Sequence, residues 1–330
     1  MATGVRLIAV VKADGYGHGA RQAAVAALDG GAWGLAVSTL EEARSLAGLV
    51  PPDRLLALGG LAPRDAPEAA AVGCAVTCHG EQLADALERA ASGVELPVHL
   101  KVDTGMGRLG CRPEEAPGLA RRIAGSRRLR LAGAYTHFAA ADSDEEFTRQ
   151  QFARFADVLD RLGVEPGVRH AANSAAALRY PEMGLDAVRC GIALYGCEWP
   201  ELRPALALRA VVTQVKEVAP GCSVGYGRTW VAERPTRVAT VAIGYEDGVL
   251  RSRSNRGSVV VRGRRAPLIG RVSMDQVTVD VTGVPEARPG DVATLLGDGI
   301  TAEEVAEWSG TISYEVLTSV GSRVARRYRE

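Results

Sequence analysis

The stretch covering residues 7–19 combines an apolar run, one lysine and three glycines in an order that suits carbonyl chemistry. Residues 7–11 form a β-branched segment of strand length, and Lys12 follows it directly. Burial at a strand end disfavours the ammonium form, and a neutral lysine amine can form a Schiff base with an aldehyde. Tyr16, four residues on, could direct its hydroxyl toward a phosphate. From this stretch alone, a lysine that reaches solvent and an ordinary turn explain the pattern equally well.

Apolar segments of strand length alternate with alanine-rich stretches over the first two-thirds of the chain. The predicted strands are residues 7–11, 33–37, 55–58, 74–77, 98–102, 131–136, 170–172 and 187–190. Thr39 and Glu42 have the spacing of a capping box, and residues 143–162 form a long amphipathic stretch. Eight strands alternating with helices indicate a parallel sheet, either a (β/α)8 barrel or a doubly wound sheet.

Residues with catalytic or binding potential lie at or after the ends of several predicted strands. They are Lys101 and Arg108 at or after the fifth strand, His137 after the sixth, Asn173 and Ser174 after the seventh, and Arg189, Gly191 and Ile192 at the eighth. Barrel enzymes place their sites at the C-terminal ends of the strands. Polar residues without a common role would occur at both ends, so this shared placement predicts one site.

Near Pro204 the pattern changes from alternating helices and strands to mostly strands. The predicted strands are residues 206–218, 238–243, 258–262, 277–281 and 292–296, separated by glycine- and proline-containing turn signals. One helix is predicted at residues 302–308, capped by Thr301 with Glu304 three residues on. We therefore predict two domains, an α/β domain over residues 1–204 and a mostly β domain over residues 205–330.

The composition excludes some classes of partner. The 330 residues carry 39 basic and 39 acidic side chains, a balance that argues against nucleic acid or an anionic membrane surface as the main partner. No apolar run reaches membrane-spanning length, and the first residues lack a signal-peptide layout, so a cytoplasmic location is expected. The six cysteines form no Cys-x-x-Cys pair, so we expect reduced thiols and neither a disulfide framework nor a metal site.

Six short motifs resemble, in the same order, those of the bacterial alanine racemase family. They are Val-Val-Lys-Ala-Asp-Gly-Tyr-Gly-His-Gly around Lys12, Lys-Val-Asp-Thr-Gly-Met-Gly-Arg from Lys101 to Arg108, Thr-His-Phe at His137, Ala-Asn-Ser at Ser174, Arg-Cys-Gly-Ile from Arg189 to Ile192 and Ser-Met-Asp-Gln at Met274. Each motif alone is weak, but together they span nearly the whole chain. The resemblance implies a (β/α)8 barrel, a β domain and pyridoxal 5'-phosphate (PLP) as the cofactor.

The resemblance also implies which residues hold the cofactor. Lys12 would carry PLP, and the arginine matching Arg189 would face the pyridine nitrogen and keep it unprotonated. This would make the ring a weaker electron sink and restrain side reactions. The remaining cofactor-binding residues implied are Tyr16, His137, Asn173, Ser174, Gly191, Ile192 and Tyr314.

For the substrate, the resemblance implies one base on each face of the α-carbon. Lys12 would serve one face and Tyr226 the other, with His137 and Arg189 supporting the tyrosine. Arg108 and the backbone N–H of Met274 would bind the substrate carboxylate, and Tyr245 would lie near the substrate entrance. Lys101 would be carbamylated, as in many family members, or paired with Asp103; the sequence leaves both open.

The family assembles as a head-to-tail homodimer in which each site is completed by the partner's β domain, and it supplies D-alanine for peptidoglycan. Family members also have about one strand and one helix before the lysine strand, so a naturally short or truncated start, with a less covered barrel bottom, is expected here. Alternatives on the same scaffold are serine, lysine or broad-specificity racemases. PLP-dependent decarboxylases and a non-catalytic PLP carrier are less well supported, since the decarboxylase motifs are absent and carriers lack the second domain.

Overall fold

A computed structural model describes residues 4–93 and 95–329 of the chain. The described residues divide into two compact units. The first comprises residues up to Gly15 together with residues 19–194, and the second comprises residues 16–18 together with residues from Tyr195 onward. The short segment after Lys12 therefore groups with the second unit, although its neighbours on both sides group with the first.

The first unit is a closed barrel of eight parallel strands in sequence order, which confirms the predicted (β/α)8 fold and excludes the doubly wound sheet. The strands are β1 (Arg6–Val10), β2 (Gly34–Val37), β3 (Leu55–Ala57), β4 (Ala75–Cys78), β5 (Leu96–Lys101), β6 (Leu129–Tyr135), β7 (Val168–His170) and β8 (Ala187–Cys190). Pairing of β1 with both β2 and β8 closes the barrel. The strands are apolar because both faces of a parallel sheet are covered, and β2 is buried at every residue.

Helices connect the barrel strands, with bounds Ala20–Asp29, Leu40–Leu46, Ala66–Val72, Glu81–Ala90, Ala116–Ala124, Glu145–Arg161 and Ser174–Arg179. The predicted capping box is present, since the Thr39 side chain accepts from the Glu42 N–H while the Glu42 carboxylate accepts from the Thr39 N–H. The long amphipathic stretch is a helix capped by Asp144, with Phe155 and Val158 buried. Throughout the described residues, every helix is too short or too polar to cross a bilayer.

The second unit contains eight strands, which are β9 (Leu208–Val218), β10 (Ser223–Val224), β11 (Trp230–Val231), β12 (Thr236–Val241), β13 (Ser258–Val261), β14 (Arg264–Ile269), β15 (Val277–Asp280) and β16 (Val292–Leu296). Six of these strands form a closed barrel in the order β12, β15, β14, β13, β16, β9, and β10 and β11 form a separate two-stranded hairpin. The mostly β architecture predicted for this part is confirmed. Its helices are Ala302–Ser309, capped by Thr301 as predicted, and Ser313–Thr318, which was not predicted.

Candidate active site

A left-handed turn positions Lys12 at the C-terminal end of β1. The prediction that Lys12 directly ends the strand is wrong by one residue, because β1 ends at Val10. Backbone φ angles are positive at every residue from Ala13 to Gly17, including +53° at Ala13 and +52° at Asp14. Left-handed backbone costs about 1–2 kcal/mol for each residue with a Cβ, and such strain concentrates at functional sites. The chain therefore holds the residues after Lys12 in a costly conformation.

Two carboxylates stabilise this turn. Ala13 donates its N–H to Glu42 Oε1 at 2.7 Å, and the other Glu42 oxygen accepts from the Ser38 N–H at 2.7 Å. Asp14 Oδ1 accepts from the Ala20 N–H at 2.8 Å, at the start of the next helix. The capping-box glutamate thus has a second task, which is to hold the peptide unit next to Lys12.

The surroundings of Lys12 favour a neutral amine. Burial lowers the pKa of the Lys12 ammonium below its usual value, and the nearby positive charge of Arg108 lowers it further. The Glu42 carboxylate acts in the opposite direction and raises that pKa. A neutral amine is the nucleophilic form that an aldehyde requires, so Lys12 is suited to forming a Schiff base.

We predict that Glu42→Gln lowers the pKa of Lys12 further, since it removes the one negative charge that raises it. Attachment of PLP to the apoprotein requires the neutral amine. Its rate, followed by absorbance across pH, should therefore reach half its maximum at a lower pH in Glu42→Gln than in the parent chain. Glu41→Gln is the matched control, because Glu41 is the exposed neighbour on the same helix. An unchanged half-maximal pH in Glu42→Gln would contradict the electrostatic role of Glu42.

Arg189, on β8, is a buried cation with 3% of its surface exposed. Its guanidinium donates to the backbone carbonyls of Thr136 and Ala171, at 2.8 Å and 2.9 Å. It also bonds His170 Nδ1 at 2.8 Å and His137 Nδ1 at 3.1 Å. Among the described residues no carboxylate forms an ion pair with it. Burial lowers the Arg189 pKa to about 10, so the group stays protonated at neutral pH.

Two histidines behind Arg189 were missed by the sequence analysis. His170 Nε2 lies 2.8 Å from His99 Nδ1, and burial, followed by the Arg189 charge, lowers the pKa of both imidazoles, that of His99 to about 3. Because a guanidinium only donates, His170 must accept at Nδ1 and donate from Nε2 to His99. His99 then carries its proton on Nε2, a buried atom with no partner among the described residues. Strand alternation could have indicated His99, which lies two residues before Lys101 on β5.

Lys101 is buried beside two arginine charges. Its Nζ lies 4.4 Å from the centroid of the Tyr135 ring, and no ion pair with Asp103 is present in the part of the chain that the structure describes. Asp103 Oδ1 instead accepts from the N–H groups of Gly105, Met106 and Gly107. Burial lowers the Lys101 pKa well below its usual value, and Arg189 and Arg108 lower it further while Asp103 opposes them. The structure therefore shows no ion pair between Lys101 and Asp103, and the lowered pKa of Lys101 favours its neutral amine.

Residues at the ends of β7 and β8 have separate tasks. Asn173 caps the helix Ser174–Arg179, since its Oδ1 accepts from the Ala176 N–H at 3.0 Å. The buried Ser174 Oγ accepts from the Gly191 N–H at 2.9 Å. A short 3-10 helix, Ile192–Tyr195, starts immediately after Gly191. The loops after these two strands therefore bring a hydroxyl and a helix start together, which is the layout that barrels use for phosphate.

Three of the predicted site residues lie on exposed loops of the second unit. Tyr226 is 72% exposed, in a 3-10 turn between Gly225 and Gly227, within the β10–β11 hairpin. Tyr245 donates its N–H to the Ser273 carbonyl at 2.9 Å, and the Met274 carbonyl accepts from the Glu246 N–H. Glycine at position 244 allows the two loops to approach this closely, because a Cβ there would overlap the carbonyl oxygens of Ser273 and Met274. Tyr245 and Met274 are thereby held on adjacent loops.

Tyr16 and Tyr314 both belong to the second unit, with ring centroids 6.1 Å apart at 47°. Tyr16 is 7% exposed, and burial raises the pKa of its phenol to about 12, so the hydroxyl is a hydrogen-bond donor at neutral pH. Tyr314 lies on the helix Ser313–Thr318 and is partly exposed. The two hydroxyl-bearing side chains predicted to bind phosphate are thus neighbours.

The donor set on these residues fits PLP. Lys12 offers an amine whose lowered pKa favours the neutral form that an aldehyde requires, and Ser174 lies with the Gly191 N–H at the loops where barrels bind phosphate. Arg189 offers a buried cation that has no carboxylate partner among the described residues and therefore suits an unprotonated pyridine nitrogen. A closed (β/α)8 barrel with such a lysine, together with a second β unit, defines a PLP-dependent enzyme that acts on amino acids.

Comparison with known proteins identifies the family within this class. The N-terminal domain model of alanine racemase matches residues 1–198, and the C-terminal domain model matches residues 205–328. An alanine racemase of Desulfovibrio desulfuricans is 44% identical over 97% of this chain and 90% of that protein. One of Deinococcus radiodurans is 43% identical over 98% of this chain and 93% of that protein.

Solved structures agree with the sequence comparisons. The biosynthetic alanine racemase of Pseudomonas aeruginosa superposes with a TM-score of 0.90 at 40% identity, covering 100% of this chain and 94% of that one. The enzyme from a D-cycloserine-producing Streptomyces lavendulae gives a TM-score of 0.91 at 38% identity, covering 98% and 90%. This chain belongs to the alanine racemase family, whose members are PLP-dependent isomerases, as the motifs predicted.

Proposed function

We propose that this protein interconverts L-alanine and D-alanine with PLP, using Lys12 and Tyr226 as the two bases, and supplies D-alanine for peptidoglycan. The observation that carries the proposal is that one barrel contains both a buried lysine after β1, with a lowered pKa, and a buried arginine that has no carboxylate partner among the described residues. Most other PLP enzymes place a carboxylate opposite the pyridine nitrogen. Arginine restrains carbanion stabilisation and therefore suits a reaction that returns the proton.

PLP, when bound, supplies an electron sink for the substrate α-carbon. Lys12 would hold the cofactor through its amine and, as a free amine, would take or return a proton on one face of the α-carbon. Tyr226 takes or returns the proton on the other face. His137, whose Nδ1 accepts from Arg189, carries its own proton on Nε2, where it can donate to a phenolate. Six residues are assigned to the phosphate end of the cofactor, either as direct contacts or as supports of the loops that bind it: Asn173, Ser174, Gly191, Ile192, Tyr16 and Tyr314.

Arg108 and the Met274 N–H are assigned to bind the substrate carboxylate. Tyr245 is assigned to the substrate entrance. Arg108 is exposed, and its charge lowers the pKa of both Lys12 and Lys101. Lys101 is assigned as a carbamate that orients Arg108, since a neutral amine is the form that reacts with carbon dioxide. Intact-protein mass spectrometry at raised carbon dioxide pressure, with Lys101→Ala as control, would show the added mass.

A homodimer with shared sites completes the proposal. Tyr226 belongs to the second unit and projects from a hairpin with most of its surface exposed, as a residue that reaches a partner subunit would. Symmetric dimers are the commonest oligomers. The domain boundary at residue 204 and the cytoplasmic location stay predictions from the sequence.

Chiral product analysis tests the function. Incubation with L-alanine, L-serine or L-lysine, with and without added PLP, should give D-alanine faster than the other D-isomers and only when PLP is present. Faster racemisation of serine or lysine would identify the alternative racemases on this scaffold. Release of carbon dioxide without racemisation would identify a decarboxylase, and PLP binding without turnover a carrier.

A further inference from the structure

Residues 16–18, which follow the left-handed turn, are anchored within the second unit by aromatic rings. The Tyr16 ring stacks on Tyr195 at a centroid distance of 4.8 Å and 27°. The His18 ring contacts the same Tyr195 at 4.4 Å and 32°, and His18 Nδ1 lies 2.9 Å from the Tyr16 carbonyl. The two neighbours of Gly17, Tyr16 and His18, both pack on Tyr195, and these contacts position the Tyr16 phenol.

Arg326 binds the same segment from another direction. Its Nε donates to the Gly17 carbonyl at 3.2 Å. Its two Nη atoms donate to the carbonyls of Val320, Gly321 and Val324, at 2.8 Å, 2.5 Å and 2.8 Å. The helix Ser313–Thr318 carries Tyr314, and Val320 and Gly321 come two and three residues after its end. One guanidinium therefore joins residue 17 to the chain just after this helix.

Two further contacts close this arrangement. Tyr328 donates its hydroxyl to the His18 carbonyl at 3.0 Å. Gly17, with a φ of +79°, packs so closely on the same helix that a Cβ would overlap the Leu317 carbonyl oxygen. The backbone of residues 17 and 18 therefore contacts both the helix Ser313–Thr318 and the chain that follows it.

We propose that Arg326 is a positioning residue for the cofactor phosphate, acting by fixing Tyr16 and Tyr314 relative to each other, with Tyr328 as its helper. Among the described residues no carboxylate forms an ion pair with Arg326. Its donors face the Gly17 carbonyl, one residue after Tyr16, and three carbonyls in the stretch that follows the helix of Tyr314. A guanidinium is suited to this task because its planar fork presents five donors in a fixed geometry. The inference rests on the proposed function, which assigns the two hydroxyls to the phosphate.

The test compares the affinity of the apoprotein for PLP with its affinity for pyridoxal, which lacks the phosphate. Arg326→Met should weaken PLP binding by about tenfold or more, since bonds from a charged group are lost, and should leave pyridoxal binding within about twofold. Arg327→Met is the matched control, because Arg327 is the exposed neighbour, and it should change neither constant. Amide hydrogen exchange in the apoprotein should accelerate at residues 16–19 in Arg326→Met alone.

A second set of variants separates positioning from general stability. In a Tyr16→Phe, Tyr314→Phe background, Arg326→Met should cause less than about a twofold further loss of PLP affinity, because the hydroxyls it positions are gone. If Arg326→Met does not fold, Tyr328→Phe removes one of the contacts and should shift the PLP-to-pyridoxal ratio in the same direction. Equal losses for PLP and pyridoxal, or unchanged PLP affinity, would overturn the inference. A parent chain that does not prefer PLP to pyridoxal would instead overturn the proposed function.

Discussion

Tyr226→Phe should reduce racemisation of alanine in both directions by about 10²–10⁴-fold, the range that a positioned acid–base group contributes. Net turnover requires a base on each face of the α-carbon, and the phenylalanine ring can neither take nor return a proton. PLP should remain bound, because no phosphate contact is assigned to this exposed side chain. Solvent deuterium should still enter the α-carbon of the enantiomer that presents its proton to Lys12.

The measurements are polarimetric rates in both directions and mass spectrometry of recovered alanine. Tyr180→Phe is the control, because Tyr180 is a buried tyrosine of the first unit that has no assigned catalytic role. Undiminished racemisation by Tyr226→Phe would remove Tyr226 from the mechanism. Loss of deuterium entry from both enantiomers would show that the phenol acts on both faces or supports the site as a whole.

Lys12→Ala should lose more activity than Tyr226→Phe, by more than about 10⁴-fold, because it removes both the cofactor attachment and one base. The chain offers a matched control in Lys216→Ala, since Lys216 is an exposed lysine on β9. That variant should keep the parent rate. Appreciable racemisation by Lys12→Ala in the presence of PLP would assign the cofactor to another amine.

Mixing the two inactive variants tests the shared site. In a homodimer whose sites combine Lys12 of one subunit with Tyr226 of the other, each hybrid of Lys12→Ala and Tyr226→Phe contains one site with both bases. Subunit exchange should therefore restore measurable activity to the mixture. Failure to restore it, in a mixture shown by native mass spectrometry to contain hybrids, would place both bases in one chain.

Most of the barrel could be predicted because its strands are buried on both faces and therefore form continuous apolar runs. Residues 187–190 were predicted with the observed bounds of β8, and each of the other barrel strands differs from its prediction by one or two residues at one or both ends. Placement after strand ends also brought Lys101, His137, Ser174 and Arg189 together as candidates, since the C-terminal ends of parallel strands meet at one end of a barrel.

The missed elements have physical reasons. β14 (Arg264–Ile269) was missed because Arg264, Arg265 and Pro267 interrupt its apolar pattern. Hydrogen-bonded pairing with β13 and β15 stabilises this strand in the folded protein. The left-handed turn after Lys12 has no local sequence signal at Ala13, and backbone N–H groups that donate to the Glu42 and Asp14 carboxylates stabilise it. Such contacts determine the backbone conformation, but they produce no periodic pattern in the sequence from which the turn could be predicted.

The electrostatic interactions within the site also could not be predicted from the sequence. His99, His170 and Arg189 lie on β5, β7 and β8, and only their side-chain distances show that two neutral imidazoles support the guanidinium. The carbonyls around Arg326 lie within seven residues of it except for that of Gly17, which is more than 300 positions away. Contacts at that separation are set by the fold.

The attachment site of the cofactor tests the proposed mechanism without depending on any rate measurement. The chain contains three lysines, Lys12, Lys101 and Lys216, so borohydride reduction of the PLP-loaded protein followed by peptide mapping has three side-chain amines to distinguish. We expect the reduced pyridoxyl label on Lys12, whose pKa is lowered by burial and by Arg108. A label on Lys101, the other lysine with a lowered pKa, would contradict the account.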